Sequence, residues 1–370
     1  MKKITINASR KYDVIMEKNS LEKAGEYICQ ALGAGANATD GIRADHKRVC
    51  IVTDTTVDKL YGQQNQALWK SLENSSFDVY KYVFPGGENH KTLDTISGIL
   101  EFLAENNFTR SDILLALGGG IVGDVTGFAA ATFLRGIEFI QIPTTFLAIV
   151  DSSVGGKTGV NLSSGKNLAG AFWQPGLVLF DPNVLETLNR ELKLDGVAEA
   201  IKAGFIADGN ILTLIDEQSD LSDHSFLTEL AAMAIDVKRQ IVEDDEREGG
   251  KRQLLNLGHT AAHAIEKCSC YEISHGHAVA MGMAIISAAA EKLSLCDEGT
   301  HTQMMAALNK FNFPLDVPYS ASDLTSAALH DKKRRGDEIT LVIPKAPGDS
   351  YLKKLPVDQL QEFFALGLER

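Results

Sequence analysis

Polar and apolar positions alternate from the start of the chain, where Lys2-Lys3-Ile4-Thr5-Ile6 reads as a strand with no apolar run behind it, so no secretory leader is expected. Val49–Asp54, Ile113–Leu117, Ile137–Ile142 and Leu177–Asp181 are short β-rich runs separated by stretches of helical spacing. That alternation predicts βαβ units and a mostly parallel sheet. Residues 32–47, rich in Gly, Ala, Asn and Asp, read as a surface loop or insertion. Beyond about residue 187 the pattern changes. Segments 191–207, 225–246, 254–267, 276–294, 299–310 and 356–367 have helical length and period, and Ile339–Pro344 is the one later strand-like run. The expected build is an α/β domain over 1–187 followed by a mainly α-helical domain over 188–370.

Length and charge narrow the function. A chain of 370 residues suits two or three domains at roughly 150 residues each. Its 36 basic and 49 acidic side chains leave a net charge of −13, which argues against a nucleic-acid partner, because phosphate-backbone binding needs concentrated Lys and Arg. A local basic pocket for a small anion remains open. The most apolar stretch, 278–290, falls short of the roughly 20 residues that cross a bilayer and reads as a buried helix, so no membrane partner is expected. Five cysteines without a C-x-x-C pair suit reduced thiols and a cytoplasmic location.

Several motifs could carry chemistry. Gly118-Gly119-Gly120-Ile121-Val122-Gly123 fits the dinucleotide-binding turn and follows a strand-like run. Glu138, about 20 residues on, opens a strand where a ribose carboxylate should close one. Asp54, ending its own run, is the better ribose ligand. Gly156-Lys157-Thr158 resembles the end of a triphosphate-binding loop, but position 151, where that loop needs Gly, is Asp. Asp151, Lys157, Asn161, Lys166 and Asn167 crowd a Gly/Ser-rich stretch read as a loop, and its lysines suit a phosphate or carboxylate. For either lysine taken alone, solvated surface is the commoner case.

In the second half, Glu199 and Lys202 stand at i and i+3, a spacing that most often makes a surface ion pair. Arg252, Asn256, His259 and His263, spaced four, three and four apart, are expected to share one face of a single helix. His275 opens the next one. Glu199, His259 and His275 together have the composition of a divalent-metal site with open positions, although spacing alone cannot make them converge.

These residues carry a resemblance to the 3-dehydroquinate synthase family of the sugar phosphate cyclase group. It runs through GGGIVGDVTGFAAATFLRG (118–136), IPTTFLAIVDSSVGGKTGVN (142–161), GKNLAGAFWQP (165–175), GVAEAIKAG (196–204), EDDEREGGKRQLLNLGHTAAHAIE (243–266) and SHGHAVAMGM (274–283), and more weakly through 85–93 and 330–336. The resemblance implies a Rossmann-like NAD-binding α/β domain with a helical metal-binding domain, and a homodimer. Metal ligands fall on Glu199, His259 and His275, for zinc or cobalt. Substrate contacts fall on Asp151, Lys157, Asn167, Lys202, Lys238, Arg252, Asn256, His263 and the pair Lys332 and Lys333, with Arg135 reaching the phosphate bound by a neighbouring subunit. Cofactor contacts fall on Asp54, Glu88, Lys91, Gly119, Gly120, Asp124, Thr144, Thr145, Lys166 and Thr187. The family often has His-Gly-Glu where this chain has His275-Gly276-His277, which opens His277 as an alternative ligand; His275 holds the motif position.

The activity implied is conversion of a phosphorylated sugar acid, 3-deoxy-D-arabino-heptulosonate 7-phosphate, to 3-dehydroquinate with loss of phosphate. NAD-mediated oxidation, β-elimination, reduction, ring opening and aldol closure follow one another in this step of aromatic amino acid biosynthesis. A related cyclase, such as one forming 2-deoxy-scyllo-inosose or a valiolone precursor, would share fold, NAD and metal. A metal-dependent polyol dehydrogenase would release NADH and needs no phosphate-reading lysines. A non-enzymatic binding module would leave the ligand set without a purpose.

Overall fold

The computed structural model describes residues 1–35, 47–329 and 337–369. The chain divides into two compact units, Met1–Leu188 and Asn189–Arg370.

The first unit is built on a seven-stranded sheet. Its elements in chain order are β1 (Lys2–Asn7), β2 (Lys11–Met16), α1 (Ala24–Gly35), β3 (Arg48–Asp54), α2 (Thr55–Tyr61), α3 (Ala67–Asn74), β4 (Asp78–Phe84), α4 (Leu93–Glu105), β5 (Ile113–Gly118), α5 (Gly120–Thr132), β6 (Glu138–Pro143), β7 (Lys157–Leu162), β8 (Gly165–Phe172) and β9 (Leu177–Phe180). The sheet runs β1-β2-β9-β6-β5-β3-β4, parallel throughout except at the β1–β2 hairpin. β5 is buried along its whole length and β3 along its centre, as strands covered on both faces must be. From β3 the chain steps outward to β4, then returns to place β5 on the opposite side of β3. That reversal between β3 and β5 is a topological switch point, outside whose carboxyl ends doubly wound sheets bind ligands. Asp54 and Gly119 stand at those two strand ends.

Two sequence expectations are corrected by the structure, and two strands had not been expected. Residues 32–35 belong to α1, while 36–46 lie outside the described residues. The polar stretch around Lys157 is an antiparallel hairpin, β7–β8, and not a loop: alternate polar residues on it hid a strand pattern whose partner is its own neighbour. Strands β2 and β4, with only intermediate burial along β4, lacked the apolar run that marked the others.

The second unit is helical, with α6 (Arg190–Ile206), α7 (Asn210–Glu217), α8 (His224–Asp244), α9 (His259–Cys268), α10 (His275–Lys292), α11 (Thr300–Lys310), α12 (Ala321–Leu329) and α13 (Leu360–Leu368), and a hairpin of β10 (Glu338–Ala346) and β11 (Asp349–Pro356). The mainly charged and polar sequence of β11 gave no strand signal of its own. α10 is the hub, packed against α6, α9, α11 and α13. No helix among the described residues is long and apolar enough to cross a membrane.

The first turn of α10 rests directly on the α6 backbone. Any Cβ added at Gly276 would lie 2.2 Å from the Asp195 Cα, far closer than van der Waals contact allows. Asp195 completes the joint: its Oδ1 accepts hydrogen bonds from Ser274 Oγ at 2.5 Å and from the His277 amide at 3.3 Å. Gly276→Ala is therefore expected to destabilise this unit by about 2 kcal/mol, an ordinary overpacking cost, read as a fall in melting temperature by calorimetry on metal-free protein. An unchanged melting temperature would mean that the two helices are not so closely docked.

Candidate active site

In the first unit the glycine turn sits at the switch point. Gly119 caps α5 and Gly120 opens it, so the first amides of this helix, with no acidic residue in the turn, form an anion-binding end. Space for side chains is tight here: a Cβ on Gly119 would press on the Thr145 side chain, and one on Gly120 on that of Ser152. The Thr144 amide bonds Gly118 O at 2.9 Å, while Thr144 Oγ1 is buried without a hydrogen-bond partner. A bare helix end, two glycines and an orphaned hydroxyl suit a dinucleotide pyrophosphate.

Asp54 Oδ1 caps α2, accepting from the amides of Thr56 and Val57 at 2.8 and 3.0 Å. Thr187 Oγ1 pairs with Tyr61 Oη at 2.8 Å beside the same helix. Farther along, buried Lys91 donates to Asp124 Oδ2 and Asn167 Oδ1, both at 2.6 Å. Burial pushes the Asp124 carboxyl above its usual range, with the Lys91 charge working against it. Glu88 lies 3.8 Å from Lys166 Nζ. Asp151 occupies the short π-helical segment Ala148–Ser152, and Lys157 opens β7. Glu138 is paired with Arg10 at 2.8 Å, a structural role and not a ribose contact.

Arg135 follows α5 in a 3-10 turn, Phe133–Arg135. Leu134, Arg135 and Gly136 have φ of 49°, 71° and 123°, three successive left-handed residues, and Trp173 leaves no room for a Cβ at Gly136. Strain of this kind persists where the surroundings hold it, often at functional positions.

In the second unit, α6 carries Glu199 and Lys202, each 3% exposed and ion-paired with one another. The i, i+3 pair is thus buried and not on the surface. Glu199 Oε1 lies 3.4 Å from His275 Nε2 and 3.8 Å from His259 Nε2, and neither carboxylate oxygen completes a well-formed hydrogen bond. One ligand atom from each of Glu199, His259 and His275 falls within 4.8 Å of the others. A buried carboxylate and two imidazoles so placed fit a divalent cation with positions left for substrate. Burial disfavours the His275 imidazolium, but Glu199 and Glu266 outweigh it and push the pKa up to about 10. This negative surplus is one that a cation would satisfy.

The single helix expected through Arg252, Asn256, His259 and His263 is broken. Lys251–Asn256 is a 3-10 segment, and Gly258, at φ 78°, turns the chain before α9 begins at His259. The histidines still assemble: the rings of His259 and His275 are 5.2 Å apart, and those of His263 and His275 are 6.3 Å apart. Arg252, 1% exposed, and Asn256, which bonds Glu248 Oε1 at 2.9 Å, come from the 3-10 segment. Buried Lys238 comes from α8, which packs on that segment and on α6. Lys332 and Lys333 lie outside the described residues.

His277 faces elsewhere. Its Nδ1 is 3.0 Å from Asp195 Oδ1 and its Nε2 is 2.8 Å from Glu191 Oε2. Two neighbours of the cluster escaped the sequence reading. Glu266, buried on the His259 and His263 face of α9, stands 3.5 Å from His275 Nδ1. Asp195, one turn before Glu199, anchors α10. Helical spacing from their neighbours was the signal for both.

Residues 81–194 match the model described as 3-dehydroquinate synthase N-terminal, and 196–334 the one described as 3-dehydroquinate synthase C-terminal. The 3-dehydroquinate synthase of Streptococcus thermophilus is 40% identical over 98% of this chain and 99% of its own, and that of Enterococcus faecalis 39% identical over 98% of each. A 2-deoxy-scyllo-inosose synthase solved with carbaglucose-6-phosphate, NAD+ and Co2+ superposes with a TM-score of 0.85 at 25% identity, covering 98% of this chain and 99% of that one. With both family models matched in order, and relatives at this identity along almost the whole length, the chain belongs to the 3-dehydroquinate synthase family.

Proposed function

We propose that the protein is a carbon–oxygen lyase that converts 3-deoxy-D-arabino-heptulosonate 7-phosphate to 3-dehydroquinate and phosphate, acting as a cytoplasmic homodimer. The observation that carries this reading is the Glu199–His259–His275 cluster, buried at Glu199 and His259, with Lys202 paired to its carboxylate, in a chain 40% identical to a 3-dehydroquinate synthase. Glu199, His259 and His275 would hold zinc or cobalt, while Asp54, Glu88, Lys91, Gly119, Gly120, Asp124, Thr144, Thr145, Lys166 and Thr187 would hold NAD. Bound there, the metal would supply a Lewis acid and NAD a reversible hydride acceptor.

The protein's own groups then bind, orient and move protons. Three buried cations, Lys202, Lys238 and Arg252, stand on packed elements and suit an anionic substrate, whose carboxylate they neutralise. Lys157, Asn167 and the Lys332/Lys333 pair read its remaining polar groups. Asn256 orients a hydroxyl, and Asp151 is a further polar contact to the substrate. His263, the imidazole of the trio outside the Glu199 set, is placed to handle protons during ring opening and closure.

A 2-deoxy-scyllo-inosose synthase is the second reading, favoured by the structural likeness at 25% identity against 40% for the first. The experiment is phosphate release with NAD and Co2+ on two substrates. Release from the heptulosonate phosphate, with none from glucose 6-phosphate, is expected; the reverse would favour the second reading.

A further inference from the structure

Of the five polar positions prominent between Asp151 and Asn167, Asn161 alone has no task in the chemistry above. It lies where the hairpin register shifts: Val160 faces Ala169 and Leu162 faces Gly165, so Asn161 drops out of the ladder. Residues 166–168 of β8 stand opposite it, a bulge that frees Asn161 from regular ladder pairing. Its amide and both side-chain polar atoms are bonded all the same. The Asn161 amide donates to Lys91 O at 2.9 Å, Nδ2 donates to Glu88 Oε1 at 2.8 Å, and Oδ1 accepts from the Asn167 amide at 2.9 Å. The Asn167 backbone is left-handed, at φ 52°. Its side chain closes the circuit, accepting from Lys91 Nζ, the same ammonium that holds Asp124.

We propose that Asn161 is a positioning residue that transmits NAD occupancy to the substrate-reading end of the β7–β8 hairpin. The proposal rests on reading Glu88 and Lys91 as cofactor contacts and Asn167 as a substrate contact. A carboxamide donates and accepts at once, so one side chain grips Glu88 and the Asn167 backbone together; a carboxylate can only accept. When NAD orders Glu88 and Lys91, Asn161 fixes the backbone of Asn167, and by linkage the substrate tightens NAD by the same factor.

Hydrogen–deuterium exchange with NAD alone tests this. In the wild type, NAD slows exchange of amides 161–167. In Asn161→Ala, NAD still binds but the hairpin no longer responds, and KM for the heptulosonate phosphate rises about tenfold, within the usual range of coupling between sites, while kcat changes by less than about threefold. Asn161→Asp, close in size and the deciding variant should the alanine form not fold, keeps the acceptor for Asn167 but sets a second carboxylate against Glu88. Its resting exchange matches the wild type and its response to NAD is lost. Hairpin protection by NAD in both variants equal to the wild type, or an unchanged KM in the folded ones, overturns the proposal. Failure of NAD to bind the wild type overturns the cofactor reading itself, and the proposal with it.

Discussion

His275→Ala loses its divalent metal and its turnover falls about 10³- to 10⁴-fold, whereas His277→Ala keeps its metal. A Lewis acid contributes several kcal/mol to such a reaction, and each 1.4 kcal/mol is about tenfold in rate. His275 Nε2 faces Glu199, whose oxygens complete no well-formed hydrogen bond, and removing one of three ligands leaves only two to hold the ion. His277 is engaged with Asp195 and Glu191 on α6, and its removal loosens the docking of α10. That loss registers as a lower melting temperature and not as lost metal. Elemental analysis after dialysis, with calorimetry on the same samples, separates the two effects. Metal retained by His275→Ala and lost by His277→Ala would move the third ligand to His277.

Arg135→Ala and Lys202→Ala proteins are each nearly inactive alone, yet recover to about a quarter of wild-type activity after subunit exchange. The expectation follows from two-fold symmetry, which lets a residue of one subunit complete the site of the other. Arg135 stands at a strained corner beside exposed Leu134, with a guanidinium suited to a phosphate. Lys202 is buried against Glu199 of the same chain, so in the proposed dimer its loss would damage its own subunit's site. Random mixing makes half of the dimers mixed, and each mixed dimer has one site with both defects and one with neither. No recovery, with exchange verified by mass spectrometry, would place Arg135 in its own subunit's site or away from any site.

The strands that carry the cofactor end were legible because burial on both faces makes them continuous apolar runs, as in Ile113–Leu117. The hairpin that carries Lys157 and Asn167 was not, because a two-stranded ribbon with partly exposed faces needs no such run. The polar residues from Arg252 to His263 were expected on one face of a single helix, and that expectation was mistaken. A left-handed glycine at 258 interrupts the helix, and the histidines meet because α9 starts where α10 also starts. Which of His275 and His277 faces Glu199 depends on how the first turn of α10 docks on α6. That joint is made by Gly276 and Asp195, residues whose types carry no such message in a single sequence.

The central claim is that this protein borrows a hydride and returns it within one catalytic cycle. It is tested most directly by following phosphate release and NADH together, with the heptulosonate phosphate in large excess over NAD and a divalent metal present. Phosphate released well beyond the amount of NAD, with no accumulation of NADH, is the predicted result. NADH rising in step with turnover, and stopping when NAD is consumed, would contradict it and mark a dehydrogenase instead.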